Sequence, residues 1–298
     1  MNSDLVELGW TEEQWNRIAT TVSEEAQKAR VAAQALPVVG PEDPSTVAIP
    51  PFALSARLQP PPLRPPPRRL TVNSEPSLDL TTISINVQLR SHEMADPELK
   101  AGLTMFRRAA NYIARIEDAL VMGGRAPHAP PPGLIGIPGV YRVTGEGNLS
   151  GLFLGPVPGG RIAPPYPPPA APVIADGNDV VNQIIAAINE LDRNGQLGPY
   201  ACLLSHHLFA LVCTPTDNLV MPRDRILPFL QGPLLRCSQI ANGWGVVVSL
   251  SGSPIELDMA SELSVSYLQT TLEPRFVFRL SERVALRIKE GRAIALIG

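Results

Sequence analysis

Two dense proline tracts limit where this chain can form regular structure. Eight prolines fall between Pro50 and Pro67, and thirteen between Pro127 and Pro172. Proline fixes its own φ, has no N–H, and pushes the residue before it out of the helical region. Extended, polyproline-type chain is expected over the first tract, and an irregular region over Arg125 to Ala175. Loops of that length inside a compact domain are functional or disordered. Such tracts either lie on another chain or stay disordered, and both readings stay open. Regular structure is left to three blocks: before Ser45, from Ser77 to Gly124, and from Asp176 to the end.

The 298 residues are enough for a large core and about two domains. Charged residues make up 18%, against about 25% in an average domain. The net charge is −3. The one basic cluster, Arg64 to Arg69, reads as solvated charge in an extended loop, so a nucleic-acid partner is not expected. Cys202, Cys213 and Cys237 follow no pairing motif and read as small core residues in a reducing compartment. There is no basic-then-apolar leader, and no apolar run reaches the roughly 18 residues of a membrane span. A cytoplasmic chain with no membrane partner is expected.

Thr11-Glu12-Glu13-Gln14 has the form of a capping box, and Trp15, Ile18, Val22, Ala26 and Ala29 recur at helical spacing. This predicts a helix running toward Pro37. Ser77 to Arg90 alternates as a strand and, with the tract before it, predicts a long protruding hairpin. Asp96-Pro97-Glu98 predicts the start of a helix of about 25 residues, near 40 Å long. Leu103, Phe106, Ala110, Ile113 and Ile116 lie on its apolar stripe, and Gly123-Gly124 ends it. Asp176 to Gly195 predicts a second amphipathic helix. Gly198-Pro199 leads into a buried strand, Tyr200 to Leu204, and then a short helix, His206 to Val212. Another helix is expected near Arg223 to Gln231. Strands are expected at Trp244 to Leu250, Ile255 to Met259, Leu263 to Leu268, Phe276 to Arg279 and Val284 to Ile288.

No pattern carries catalysis. Ser205-His206-His207 sits on a strand-to-helix turn, where neighbouring side chains diverge; it lacks both a partner acid and a nucleophile elbow. The four histidines have no metal-ligand spacing. Glu117 and Asp118 lie about 100° apart on one helix, which excludes a shared acid–base site. One of them is expected to meet a basic side chain, within the chain or across a subunit boundary. The chain is therefore not expected to be an enzyme.

The order of these pieces resembles the encapsulins, linocin-like encapsulating shell proteins of the Hong-Kong-97-type phage capsid fold. The resemblance runs from Trp10 to Ile297. It rests on Val38-Val39-Gly40-Pro41 after the first helix, Glu117-Asp118 and a closing glycine at the end of the long helix, and Gly195 to Leu204. Ile226 to Leu230, Val246 to Ser249, Leu263 to Leu268 and Leu286-Arg287-Ile288 complete it.

The resemblance implies an α+β chain with a peripheral domain, an elongated loop and an axial domain. Residues 1–44 would hold the first helix, 45–89 the elongated loop, and 90–124 the long spine helix. Residues 125–243 would form the axial domain, and 244–298 would return to the peripheral sheet. It implies a self-assembling icosahedral nanocompartment whose main partner is itself. The enclosed cargo enzyme would be a dye-decolorising peroxidase or a ferritin-like protein, held by a terminal peptide. By position, Leu36, Val38, Leu263 and Val265 would line the cargo groove. Thr214, Pro215, Thr216, Asp217 and Asn218 would line a five-fold pore. Some relatives hold a flavin against a tryptophan before the spine helix; here Val87 to His92 has none, and no cofactor is carried over. The alternative of the same fold is a phage or prophage major capsid protein.

Overall fold

The structure is a computed structural model describing residues 9–43, 46–50, 52–56, 70–73, 77–124, 141–145, 151–154, 174–215, 220–273 and 275–298. Helix α1 (Glu12–Ala29) opens on the capping box, with the Thr11 hydroxyl accepting from the Gln14 N–H and Gln14 reaching back to the Thr11 N–H. It stops at Arg30, well short of Pro37, and a single further turn, α2 (Ala32–Ala35), precedes strand β1 (Val38–Val39). The break has a tertiary cause. The Asp118 carboxylate accepts from the N–H groups of Val31 and Ala32, donors that a continuous helix would direct to its own carbonyls.

Strands β2 (Ala48–Ile49), β3 (Ala53–Ala56), β4 (Leu70–Asn73) and β5 (Leu78–Asp79) form a two-step antiparallel hairpin, β2 on β5 and β3 on β4. Strand β6 (Thr81–Arg90) does not belong to it. Its residues Ile83, Ile85, Val87 and Leu89 all bury into the main core. After the turn α3 (Ser91–Met94), the long helix α4 (Lys100–Gly123) begins three residues beyond Pro97. Asp96 still caps, accepting from Glu98 and Lys100 N–H, but Leu99 is left-handed at φ 51° and sets the entry.

Strand β7 (Tyr141–Thr144) pairs with β6. Helix α5 (Gly177–Arg193) is capped by Asp176, and strand β8 (Tyr200–Leu204) follows, buried at every residue. Helices α6 (His206–Cys213) and α7 (Pro222–Leu230) lead into β9 (Gln231–Arg236) and β10 (Gly245–Ser249). The long strands β11 (Ile255–Thr270) and β12 (Arg275–Ile288) form one antiparallel ribbon, and β13 (Ile294–Ile297) ends the chain.

Two larger sheets result among the described residues, ordered β1-β11-β12-β6-β7 and β13-β10-β8-β9. Helices α1 and α4 pack on the first. Phe106, Ile113 and Phe278 are fully buried there, each contributing about 1.5–3 kcal/mol by its burial. Helices α5, α6 and α7 cover one face of the second sheet, whose strands serve both cores by alternation. Ala201 and Leu203 enter the main core, while Tyr200, Cys202 and Leu204 enter the other. Val246 and Val248 divide from Val247 in the same way. Strands β10 and β13 stand apart from the sheet of β11 and β12. Both pair within the sheet built on β8.

Candidate functional site

The segment after α2 holds the first expected groove residues. Leu36 is buried in the main core, whereas Val38 is 46% exposed on β1. Strand β1 runs parallel to β11, with Val38 opposite Leu257 and Val39 opposite Asp258. Gly40 follows at φ +121°, and a Cβ there would lie 2.2 Å from the Met259 carbonyl oxygen. The Val-Val-Gly-Pro step therefore needs glycine for a close backbone approach.

Leu263 and Val265 lie further along β11. With Tyr267 they form a half-buried stripe packed on the main core, alternating with exposed Glu262, Ser264 and Ser266. Val38 and Leu263 are not neighbours: six strand residues separate their levels on β11, about 20 Å at ~3.3 Å per residue. Among the described residues, β11 beyond Asp258 pairs on one edge only, with β12. Leu263 and Val265 thus sit beside an open sheet edge that starts where β1 stops.

An aromatic cluster and a buried charge cluster fix α1 over this sheet. Trp10 stacks on Phe278 with centroids 5.0 Å apart, and Trp15, Phe106 and Tyr267 meet the same ring edge-on. At the far end of α1, Arg30 Nε lies 2.7 Å from Glu117 Oε2, and its second arm pairs with Glu282 of β12. All three side chains are buried. Burial first, and the charge of Glu282 second, raise the Glu117 carboxyl well above the usual carboxylate range. Burial raises Glu282 too, against the pull of Arg30. The sequence pointed to Glu117 and Asp118 but not to their partners. Glu117 meets Arg30 of its own chain, and Asp118 caps α2.

A second charged group lies near the base of the hairpin. Arg287 pairs with Asp258 at 2.9 Å and with Glu256 at 3.4 Å, and Lys289 reaches Glu256 at 2.6 Å. The Arg287 guanidinium sits 5.3 Å from the ring centroid of Phe52, tying the hairpin to β12. Burial lifts Asp258 to about 6 while Arg287 draws it down. The Glu256–Arg287 pairing follows from strand register, which the sequence does not display.

Of the expected pore residues, Thr214 and Pro215 are exposed after α6, and Thr216, Asp217 and Asn218 lie outside the described residues. Ser205 is buried, with His206 and His207 exposed beside it. Cys202 and Cys237 are buried free thiols; burial raises both, Cys237 to about 12. Among the described residues no three metal-ligating side chains converge, and no helix is long and apolar enough to cross a membrane.

Residues 163–285 match the family model Linocin_M18, described as encapsulating protein for peroxidase. A search of the curated proteins finds no sequence match. The virus-like particle of Pyrococcus furiosus superposes with a TM-score of 0.68 at 13% identity, over 96% of this chain and 100% of that one. The capsid of Myoviridae phage XM1 superposes at 0.57 and 12% identity, over 89% and 90%. Microbacterium phage Oxtober96 superposes at 0.55 and 13% identity, over 90% of each chain. The chain has the Hong-Kong-97-type capsid fold, and its residues 163–285 are similar to a family model of encapsulating proteins.

Proposed function

We propose that this chain is the shell protein of a closed, self-assembled nanocompartment that encloses a cargo enzyme. The observation that carries the reading is the hairpin of β3 and β4, which forms a two-stranded sheet of its own. An isolated ribbon of that size is marginal in water, and a neighbouring copy supplies the surface it lacks. Exposed apolar side chains elsewhere fit the same reading: Leu227 and Phe229 on α7, and Leu272, fully exposed at the tip between β11 and β12. Repeated on every subunit, such contacts sum to a stable closed particle. The role is structural rather than catalytic, and the proposed setting is the cytoplasm.

The cargo groove is proposed along the free edge of β11. An extended terminal peptide would add as a strand where β1 ends, with Val38 at one end and Leu263 and Val265 beneath it. Strand addition gives main-chain hydrogen bonds for affinity and alternate side-chain pockets for specificity. Leu36 supports the groove from the core. A peroxidase, named in the matched family's description, is the first cargo to test, and a ferritin-like protein the second. Thr214 to Asn218 remain the proposed pore loop.

Electron microscopy of the purified chain, expressed alone, tests the shell. Uniform hollow particles are expected; monomers or small oligomers would overturn the reading. A second reading, a phage major capsid protein, is favoured by the likeness to the XM1 capsid. Particles that retain nucleic acid after nuclease treatment would establish it in place of the shell.

A further inference from the structure

The exposed side of α4 carries a basic pocket unrelated to the groove. Thr104, Arg108 and Tyr112 form one i, i+4 row, and Arg107, Asn111 and Arg115 form the next. Adjacent rows share a helix face, and together with Glu25 of α1 these residues line an open depression of about 410 Å³. Arg107 and Arg115 make no ion pair or hydrogen bond among the described residues. Arg108 meets only the Tyr112 hydroxyl, at 3.2 Å. Three guanidiniums therefore face one carboxylate, and that carboxylate shows what the pocket accepts. The Glu25 oxygen takes a hydrogen bond from the Asn111 side-chain amide at 3.1 Å.

We infer that this pocket docks an acidic peptide segment of a partner protein, through two or three side-chain carboxylates. Planar guanidinium forks match carboxylates two bonds at a time. The span from Arg107 to Arg115 is about 12 Å along the helix, enough for a short segment. Glu25 at the rim and exposed Glu24 beside it oppose a long polyanion, which favours a compact acidic peptide over nucleic acid. The chain's net charge of −3 likewise gives no broad field to attract nucleic acid. The inference does not depend on shell assembly.

The test is fluorescence anisotropy on the full chain at about 20 mM salt, where exposed charges are weakly screened. The probe is a labelled nonapeptide with glutamates at its first, fifth and ninth positions and alanines elsewhere. Light scattering records the assembly state of each sample, and circular dichroism its folding. Saturable binding is expected, weakened about tenfold by Arg107→Glu or Arg115→Glu and less than about twofold by Arg193→Glu, an exposed arginine on α5. Glu25→Gln keeps an acceptor for Asn111, removes the competing charge and should tighten binding. Absence of saturable binding, or equal losses in the α4 and α5 variants, would overturn the proposal. Tighter binding of a single-stranded oligodeoxynucleotide of equal length would also overturn it and give the face to nucleic acid. Binding by a chain that forms no particles would support the pocket while removing the shell.

Discussion

Arg30 and Glu117, 87 positions apart in sequence, are joined by a 2.7 Å ion pair in the protein interior. Glu282 closes the cluster from β12, so one guanidinium couples α1, α4 and the sheet. Removing one member of such a group leaves a buried charge unpaired, at a cost of about 3–5 kcal/mol. Arg30→Met should therefore lower the denaturant midpoint sharply. Adding Glu117→Leu and Glu282→Leu should recover most of the loss, since an apolar replacement leaves no charge stranded. A triple variant no more stable than Arg30→Met would show that the cluster does more than neutralise itself.

The acid side chains beside this joint set a pH dependence. Burial raises Asp118 to about 6, with the N–H groups of Ala32 and Val31 opposing it. In the unfolded chain it titrates near ~4. The folded state thus binds the proton more tightly, so this contribution is full below ~4 and lost as pH rises through about 6. Glu117, raised by its burial, acts in the same direction. Denaturant midpoints should favour pH 5 over pH 7 through these groups. Asp118→Asn, which keeps an acceptor for α2, should flatten the slope; an unchanged slope would assign it elsewhere.

Assembly should depend on the hairpin more than folding does. Replacing residues 53–73 with a short Gly-Ser turn removes strands that, among the described residues, pair only with each other. It leaves the Phe52–Arg287 contact in place. The variant should keep native circular dichroism and thermal stability within a few degrees of the parent, yet form no closed particles by light scattering. Intact particles would locate the essential contact on another surface, with exposed Leu227 and Phe229 the next to replace.

Cargo retention should depend on β11. Val265 is half-buried, so Val265→Asp tolerates solvent while placing a charge beside the proposed peptide. Particles should still form but lose co-purified cargo. A wild-type cargo ratio in that variant would move the groove away from Leu263 and Val265.

Much of the architecture was readable because it rests on local chemistry. The Thr11 capping box, the alternation of β6, the apolar stripe of α4 and the Gly198-Pro199 entry to β8 each act within a few residues. The proline tracts did not exclude regular structure as expected: β2, β3 and β4 lie in or beside the first and β7 lies within the second. Strands β11 and β12 were only half legible. Register shifts between Met259 and Ser264 interrupt the alternation, so a single 16-residue strand reads as two.

What remained was decided by residues far apart in sequence. The break of α1 at Arg30 depends on Asp118, because a carboxylate from another helix takes the N–H groups a continuing helix needs. The placement of β10 and β13 beside β8, the pairing of Arg287 with Asp258, and the distance between Val38 and Leu263 all depend on strand register. Register is set by which apolar faces bury together, a property of the assembled cores rather than of any one segment. By itself the sequence determined the long helices and the main core strands in their order, but not β7, β9 or β13; only the tertiary structure decided which charges meet and which strand edge is left open.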